Sequence, residues 1–170
     1  MLTGAFSRDF WSGNENYVAA NAAAAQGLTA FAEASELRGM CFFQTSGSEG
    51  LPKWVALKKE AFLTSGRAVN AHFEITAHDR WLVALPLHHV GGFAIYARAA
   101  LSGSPVFQWQ APKWNPADFV QVCEEQGITL VSLVPAQVHD LVREKLPCPP
   151  SLRAAIIGGG GMSQGLADQA

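Results

Sequence analysis

From residue 40 onward, short apolar runs alternate with longer segments in which apolar residues recur every three or four positions. The short runs have strand length, and the longer period is that of a helix with one buried face. The pattern predicts strands over residues 40–45, 54–57, 81–85, 105–108, 128–134 and 153–157. It predicts helices over 58–73, 92–101, 116–126 and 136–145, the first placing Phe62, Gly66, Val69 and Phe73 on one face. Punctuation agrees: Asn115 stands as an N-cap before Pro116, Gly127 ends that helix, and Pro147-Cys148-Pro149-Pro150 makes a stiff connector. Ahead of residue 40 lie an aromatic opening (6–11) and an alanine-rich stretch (15–36), which predicts one helix interrupted near Gly27.

Apolar strands alternating with amphipathic helices predict an α/β fold: a mostly parallel sheet covered by helices on both faces. The expected organisation is a helical lead-in over 1–38 and an α/β domain over 39–170. Composition supports a buried core, since 49% of the 170 residues are apolar and only 15% charged. A net charge of −2 gives no electrostatic footprint for nucleic acid. No run reaches membrane-spanning length and the amino terminus lacks a basic-then-apolar leader, so a cytoplasmic protein without nucleic-acid or membrane partners is expected. Cys41, Cys123 and Cys148 have no metal-ligand spacing and are expected to be buried, reduced thiols.

Candidate chemistry concentrates in turns that follow strands. Thr45-Ser46-Gly47-Ser48-Glu49-Gly50-Leu51-Pro52-Lys53 leaves an apolar strand and collects hydroxyls, glycines and a lysine. Such a loop suits a polyphosphate: glycine lets backbone N–H groups approach oxyanions, hydroxyls donate, and lysine adds charge. It is not a Walker A loop, because Pro52 precedes Lys53 and a strand follows where a helix would have to begin. Leu85-Pro86-Leu87-His88-His89-Val90-Gly91-Gly92 forms a second turn, and Gly158-Gly159-Gly160-Gly161 a third. Ligands of parallel sheets gather beyond the carboxyl ends of the strands, so the three turns are expected to converge on one cleft. His72, His78 and His139 lack such context, and Trp81, Trp109 and Trp114 are expected to pack rather than to stack on bases. Gln137 has three open roles: contact with an acyl substrate, capping of its helix, or contact with solvent.

The three motifs, in this order, resemble those of the adenylate-forming (acyl-CoA synthetase, AMP-binding) superfamily. Residues 45–53 are similar to its phosphate loop, 85–92 to its second core motif, and 156–163 to the glycine-rich strand end beside adenine and the acyl group. The short leader, and the run Ser132-Leu133-Val134-Pro135-Ala136-Gln137-Val138, further resemble the compact 2-succinylbenzoate–CoA ligases of menaquinone biosynthesis. The resemblance implies the N-terminal domain of an AMP-forming acid–CoA ligase that uses ATP, Mg2+ and CoA. It makes Thr45, Ser46, Gly47, Ser48, Gly50 and Lys53 the phosphate grip and Gly158, Gly159 and Gly160 the adenine surface. His89, with Lys53, becomes catalytic, while no metal-ligating residue is assigned.

Glu49 departs from the family's threonine, and Trp54 from the glycine that commonly follows the lysine. By the same resemblance, the Mg2+-associated glutamate, the ribose-binding aspartate and a C-terminal domain would follow residue 170. The chain is therefore expected to be the N-terminal piece of a ligase about twice as long, inactive by itself. Alternatives remain: another acyl- or aryl-CoA synthetase, an amino-acid adenylation domain, a non-catalytic nucleotide-binding module, or a structural protein whose glycine loops are plain turns. Oligomeric state is open, a homo-oligomer included.

Overall fold

Strand pairing divides the chain into two sheets in the computed structural model, which describes residues 6–19, 22–45, 53–109 and 113–170. The elements in chain order begin with α1 (Arg8–Ser12), β1 (Tyr17–Ala19), α2 (Ala22–Ala34), β2 (Met40–Thr45), β3 (Lys53–Lys58) and α3 (Lys59–His72). They continue with β4 (Trp81–Val83), α4 (Val90–Ser102), β5 (Val106–Gln108), α5 (Pro116–Gln126), β6 (Leu130–Leu133), α6 (Pro135–Arg143), β7 (Ala154–Ile157) and α7 (Gln164–Ala167). The larger sheet has the order β5-β4-β6-β7 and is parallel throughout. The smaller runs β1-β2-β3, with β1 parallel and β3 antiparallel to β2.

Side-chain alternation explains how the larger sheet is covered. Trp81, Val83 and Leu130 point into an apolar cluster shared with α3 and α4, while Leu82, Val131 and Leu133 point into a second cluster with α5 and α6. Helices therefore lie on both faces, and continuous burial along β4 and β6 is what a doubly covered parallel sheet produces. The first cluster also takes Cys41 and Phe43 from β2 and Leu57 from β3, so the two sheets share one core. Helix α4 is buried on nearly every side, from Phe93 through Ala99.

Local signals set the boundaries. The Asn115 side chain accepts from the Ala117 and Asp118 backbone N–H groups at 2.9 and 3.2 Å, capping α5. Gly127 ends that helix in the left-handed region at φ 58°.

The segment ahead of β2 is built differently from the expected single interrupted helix. Tyr17 and Val18 form strand β1, in register with Cys41 and Phe42, and α2 runs through Gly27 without a break. The reason is tertiary. An aromatic and a β-branched residue suit a strand, and the Tyr17 ring stacks on Phe93 at 4.7 Å. Phe6 meets the same Phe93 edge-on at 5.1 Å, so the aromatic opening packs on α4. Lys59, only 3% exposed, ties this segment down by donating to the Phe10 and Gly13 carbonyls and to Glu15.

At the amino ends of β4, β6 and β7, Asp79 gathers the chain. It accepts from Arg153 at 2.7 and 2.9 Å, from the Thr129 hydroxyl at 2.8 Å and from the Thr76 N–H at 2.9 Å. Cys41 and Cys123 are buried reduced thiols, pushed up to about 12 by desolvation. Cys148 instead lies exposed, because the proline-rich connector that holds it runs over the surface.

Candidate functional site

Two of the three turns lie at the carboxyl ends of the parallel sheet, one after β4 and one after β7. Strand β4 leads through Ala84 into Leu85-Pro86 and on to His89, which stands at the N-cap of α4. The His89 N–H donates to the Pro86 carbonyl at 3.0 Å, and the His89 carbonyl accepts from Gly92 and Phe93 at 3.1 Å. Gly92 makes this turn possible: a Cβ there would stand 2.7 Å from the Leu85 and Pro86 carbonyl oxygens. The glycine motif therefore serves close backbone approach, and only a residue without a side chain fits.

Strand β7 delivers Gly158 to Gly161 at the same end of the sheet. The Gly158 N–H donates to the Leu133 carbonyl at 3.1 Å, and Gly159 takes φ +80°. A Cβ on Gly159 would meet Val134 Cγ1 at 3.3 Å, so this turn rests on the start of α6. All four glycines are exposed, presenting backbone rather than side chains to whatever approaches.

Between these turns sits Gln137, 8% exposed. Its Oε1 accepts from the Val134 N–H at 3.0 Å and its Nε2 donates to the Ala84 carbonyl at 3.4 Å. Of the roles left open by the sequence, the structure shows capping, and burial leaves the side chain little contact with solvent. It adds a bridge to β4 that residue spacing does not reveal.

The third turn belongs to the smaller sheet. Thr45 closes β2, Lys53 opens β3, and the two are direct partners in the antiparallel register. The Thr45 hydroxyl donates to the Lys53 carbonyl at 3.3 Å. Ser46, Gly47, Ser48 and Gly50 lie outside the described residues, as does Glu49. Lys53 is exposed, and its ammonium makes no hydrogen bond or ion pair among the described residues. Trp54 follows on β3, half-buried.

His89 titrates below the ordinary histidine value of 6.5, because partial burial and then the charge of His88 disfavour its cation. The rings of His88 and His89 are 4.4 Å apart, and the imidazole of His89 is neutral at pH 7. By area the residue is exposed, so water screens this shift and no folding energy is attached to it. His72, His78 and His139 are exposed, and Trp81, Trp109 and Trp114 pack in or against the two apolar clusters.

One buried charge went unread in the sequence. Arg98 on α4 is 8% exposed, donates from Nη1 to the Ser132 hydroxyl at 3.1 Å, and lies 5.6 Å over the Trp81 ring. An arginine inside an otherwise apolar helical run, Phe93 to Leu101, was the available signal. No group of three His, Cys, Asp or Glu side chains is placed to hold a metal among the described residues. A hollow of about 610 Å3 lies elsewhere, walled by Leu133, Val138, Leu141, Ile157 and Met162 of the second apolar cluster.

Comparison with known proteins bears on all of these turns. The 2-succinylbenzoate–CoA ligase of Bacillus velezensis is 33% identical over 116 residues, 68% of this chain and 23% of that protein. The ligase of the same name from Bacillus cereus is 32% identical over 132 residues, 75% of this chain and 27% of that one. Among solved structures, o-succinylbenzoate CoA synthetase from Bacillus subtilis in complex with ATP and magnesium ion matches with a TM-score of 0.68. Identity there is 29%, over 76% of this chain and 27% of that one. The same enzyme in complex with its acyl-adenylate intermediate also gives 0.68, covering 33% of that chain.

This chain spans about a quarter of the length of the curated relatives it matches. If 116 aligned residues are 23% of a relative, that relative is close to three times as long as this chain, beyond the doubling expected from resemblance. The model of the AMP-binding enzyme family matches residues 9–170, and on that match the chain belongs to the AMP-binding enzymes.

Proposed function

We propose that this chain forms the adenylating portion of a ligase that activates 2-succinylbenzoate with ATP and passes the acyl group to CoA. The observation that carries this reading is the set of curated relatives of that one activity, matching two thirds to three quarters of the chain at about 30% identity.

In the proposed reaction the hydroxyls of Thr45, Ser46 and Ser48, the backbone N–H groups at Gly47 and Gly50, and the Lys53 ammonium hold the β- and γ-phosphates. A substrate carboxylate oxygen attacks the α-phosphorus, and the bond from that phosphorus to the bridging oxygen breaks. The products are an acyl-adenylate and pyrophosphate. Negative charge grows on the departing pyrophosphate, so a free cation and oriented donors stabilise that step more than the ground state.

His89 follows β4 at the carboxyl end of the sheet, neutral at pH 7, and its imidazole N–H steadies the reacting carboxylate without competing for the phosphates. Gly158, Gly159 and Gly160 let adenine lie against bare backbone. The CoA sulfur then attacks the acyl carbon and AMP leaves. Mg2+ bound with ATP would neutralise phosphate charge, beside the Lys53 ammonium and the hydroxyls of Thr45, Ser46 and Ser48. The partners are small molecules, ATP, the acid and CoA, and the location is the cytoplasm. No helix among the described residues is long and apolar enough to cross a membrane.

The test is pyrophosphate release by a polypeptide carrying this chain, with ATP, Mg2+ and a panel of acids. A higher kcat/KM for 2-succinylbenzoate than for benzoate, a fatty acid or an amino acid is expected. Preference for any of the other acids would replace the substrate, and absence of MgATP affinity would remove the reading altogether.

A further inference from the structure

We propose that Gln137 is a positioning residue that sets the spacing between the histidine turn and the glycine turn, acting on the reaction through His89 and Gly159.

Three observations carry the proposal. First, the Gln137 amide reaches two different strands' ends. The Val134 N–H at the end of β6 can only donate, so the oxygen of the amide must face it, at 3.0 Å. The nitrogen is then turned to the Ala84 carbonyl at the end of β4, 3.4 Å away. Second, each of those contacts adjoins one turn. Ala84 precedes Leu85-Pro86, whose carbonyls lie against Gly92, that of Pro86 also accepting from the His89 N–H. Val134 and Pro135 are the surfaces on which Gly159 and Gly160 rest, at 3.3 and 3.8 Å from where their Cβ atoms would be. Third, the side chain is buried, so neither hydrogen bond is replaceable by solvent without moving one of the turns.

A simple N-terminal cap would need only the bond to Val134. The second bond ties β4 to α6 where the parallel ladder has already ended: β4 pairs with β6 through Trp81–Leu130 and Leu82–Val131, and Ala84 and Val134 lie beyond the last of these pairs. Past that ladder, the Gln137 amide joins the Val134 N–H to the Ala84 carbonyl. A misplacement of reacting groups by an ångström weakens catalysis by ~10²-fold, so a spacer at this point governs rate more than stability.

The inference rests on the proposed function for its consequence, and on the fold alone for the coupling, so the two are tested separately. Coupling is read in the wild-type chain by NMR: the Gln137 side-chain amide resonances are expected to move with the titration of His89. His88, the titratable neighbour of His89, is removed as a confounder by repeating the titration in His88→Ala. In Gln137→Met, which keeps length and removes both hydrogen bonds, the His89 midpoint is expected to rise toward 6.5 as the turn loosens.

For the consequence, the probe is a non-hydrolysable adenylate of 2-succinylbenzoate. Its affinity is expected to fall at least about tenfold in Gln137→Met, and kcat of a turnover-competent polypeptide to fall more than KM rises. Unmoved Gln137 resonances in the wild-type titration would overturn the proposal without recourse to any variant. So would a variant that only melts earlier, with the His89 titration and adenylate affinity unchanged. Coupled resonances in a chain that does not bind the adenylate would uphold the spacer and sink the function proposed above.

Discussion

Thr45 and Lys53 face each other across the β2–β3 ladder, and the threonine hydroxyl donates to the lysine carbonyl at 3.3 Å. The two ends of the hydroxyl- and glycine-bearing loop are thus pinned by backbone pairing and a side-chain bond. The Lys53 side chain remains exposed.

Lys53→Ala is expected to weaken MgATP binding by about tenfold or more, the scale of a charge-assisted hydrogen bond. The melting temperature should stay within experimental error, because the ammonium supports nothing in the described structure. Calorimetry and thermal melting on the same sample separate the two effects. An equal loss of both would make Lys53 a structural residue.

His89 should titrate below 6.5, and His88→Ala should bring its midpoint back upward. Removing a neighbouring positive charge favours the His89 cation, while the larger contribution, burial, remains. Histidine-selective NMR across pH 5 to 8 (roughly the window in which histidine changes charge) reads this directly. A downward move in the variant would contradict the assigned cause.

Asp79 offers a pH test of the fold. Arg153 first, with the Thr76 N–H and Thr129 hydroxyl, holds its carboxyl at about 2 in the folded chain, against ~3.9 for an unfolded aspartate. The unfolded state therefore takes up the proton first as pH falls. The stabilisation is complete above about pH 4 and fades as pH drops toward 2. Asp79→Asn should cost roughly 2–3 kcal/mol at pH 7 in urea unfolding. The gap to wild type should close near pH 2, and a gap independent of pH would show that packing, not charge, is what Asp79 supplies.

Gly92→Ala should destabilise the chain by about 1–3 kcal/mol, the range for forcing a methyl group into a filled site. The new Cβ would press on two backbone carbonyls, which cannot swing aside as a side chain would. Because the same carbonyl of Pro86 holds the His89 N–H, the His89 resonance should shift as well. Unchanged stability and an unchanged His89 signal would mean that the turn has slack.

Much of this was legible along the chain because it is local. Asn115-Pro116 and Gly127 bracket α5 through capping and left-handed geometry, which adjacent residues decide among themselves. The order of the turns needed no coordinates either. Strand β1 was not legible: Tyr17-Val18-Ala19 sits in an alanine-rich helical context and becomes a strand only because β2 and Phe93 lie alongside. Helix α7 was missed for a related reason, being a single turn capped by Ser163.

The amino-acid order alone determined which residue types occur together: strand runs, capped helices, glycine turns, and a lysine at a polar loop. Period, propensity and turn chemistry act over a few residues, so they are written in the order itself. Tertiary structure decided which turns share a sheet. The His89 and Gly159 turns share the carboxyl edge of one parallel sheet, while Thr45 and Lys53 stand on another. It also decided that Gln137 faces Ala84 and that Arg98 is buried against Ser132. Such pairings join residues tens of positions apart, and only the packing of α4 and α6 on the sheet brings their atoms within hydrogen-bond range.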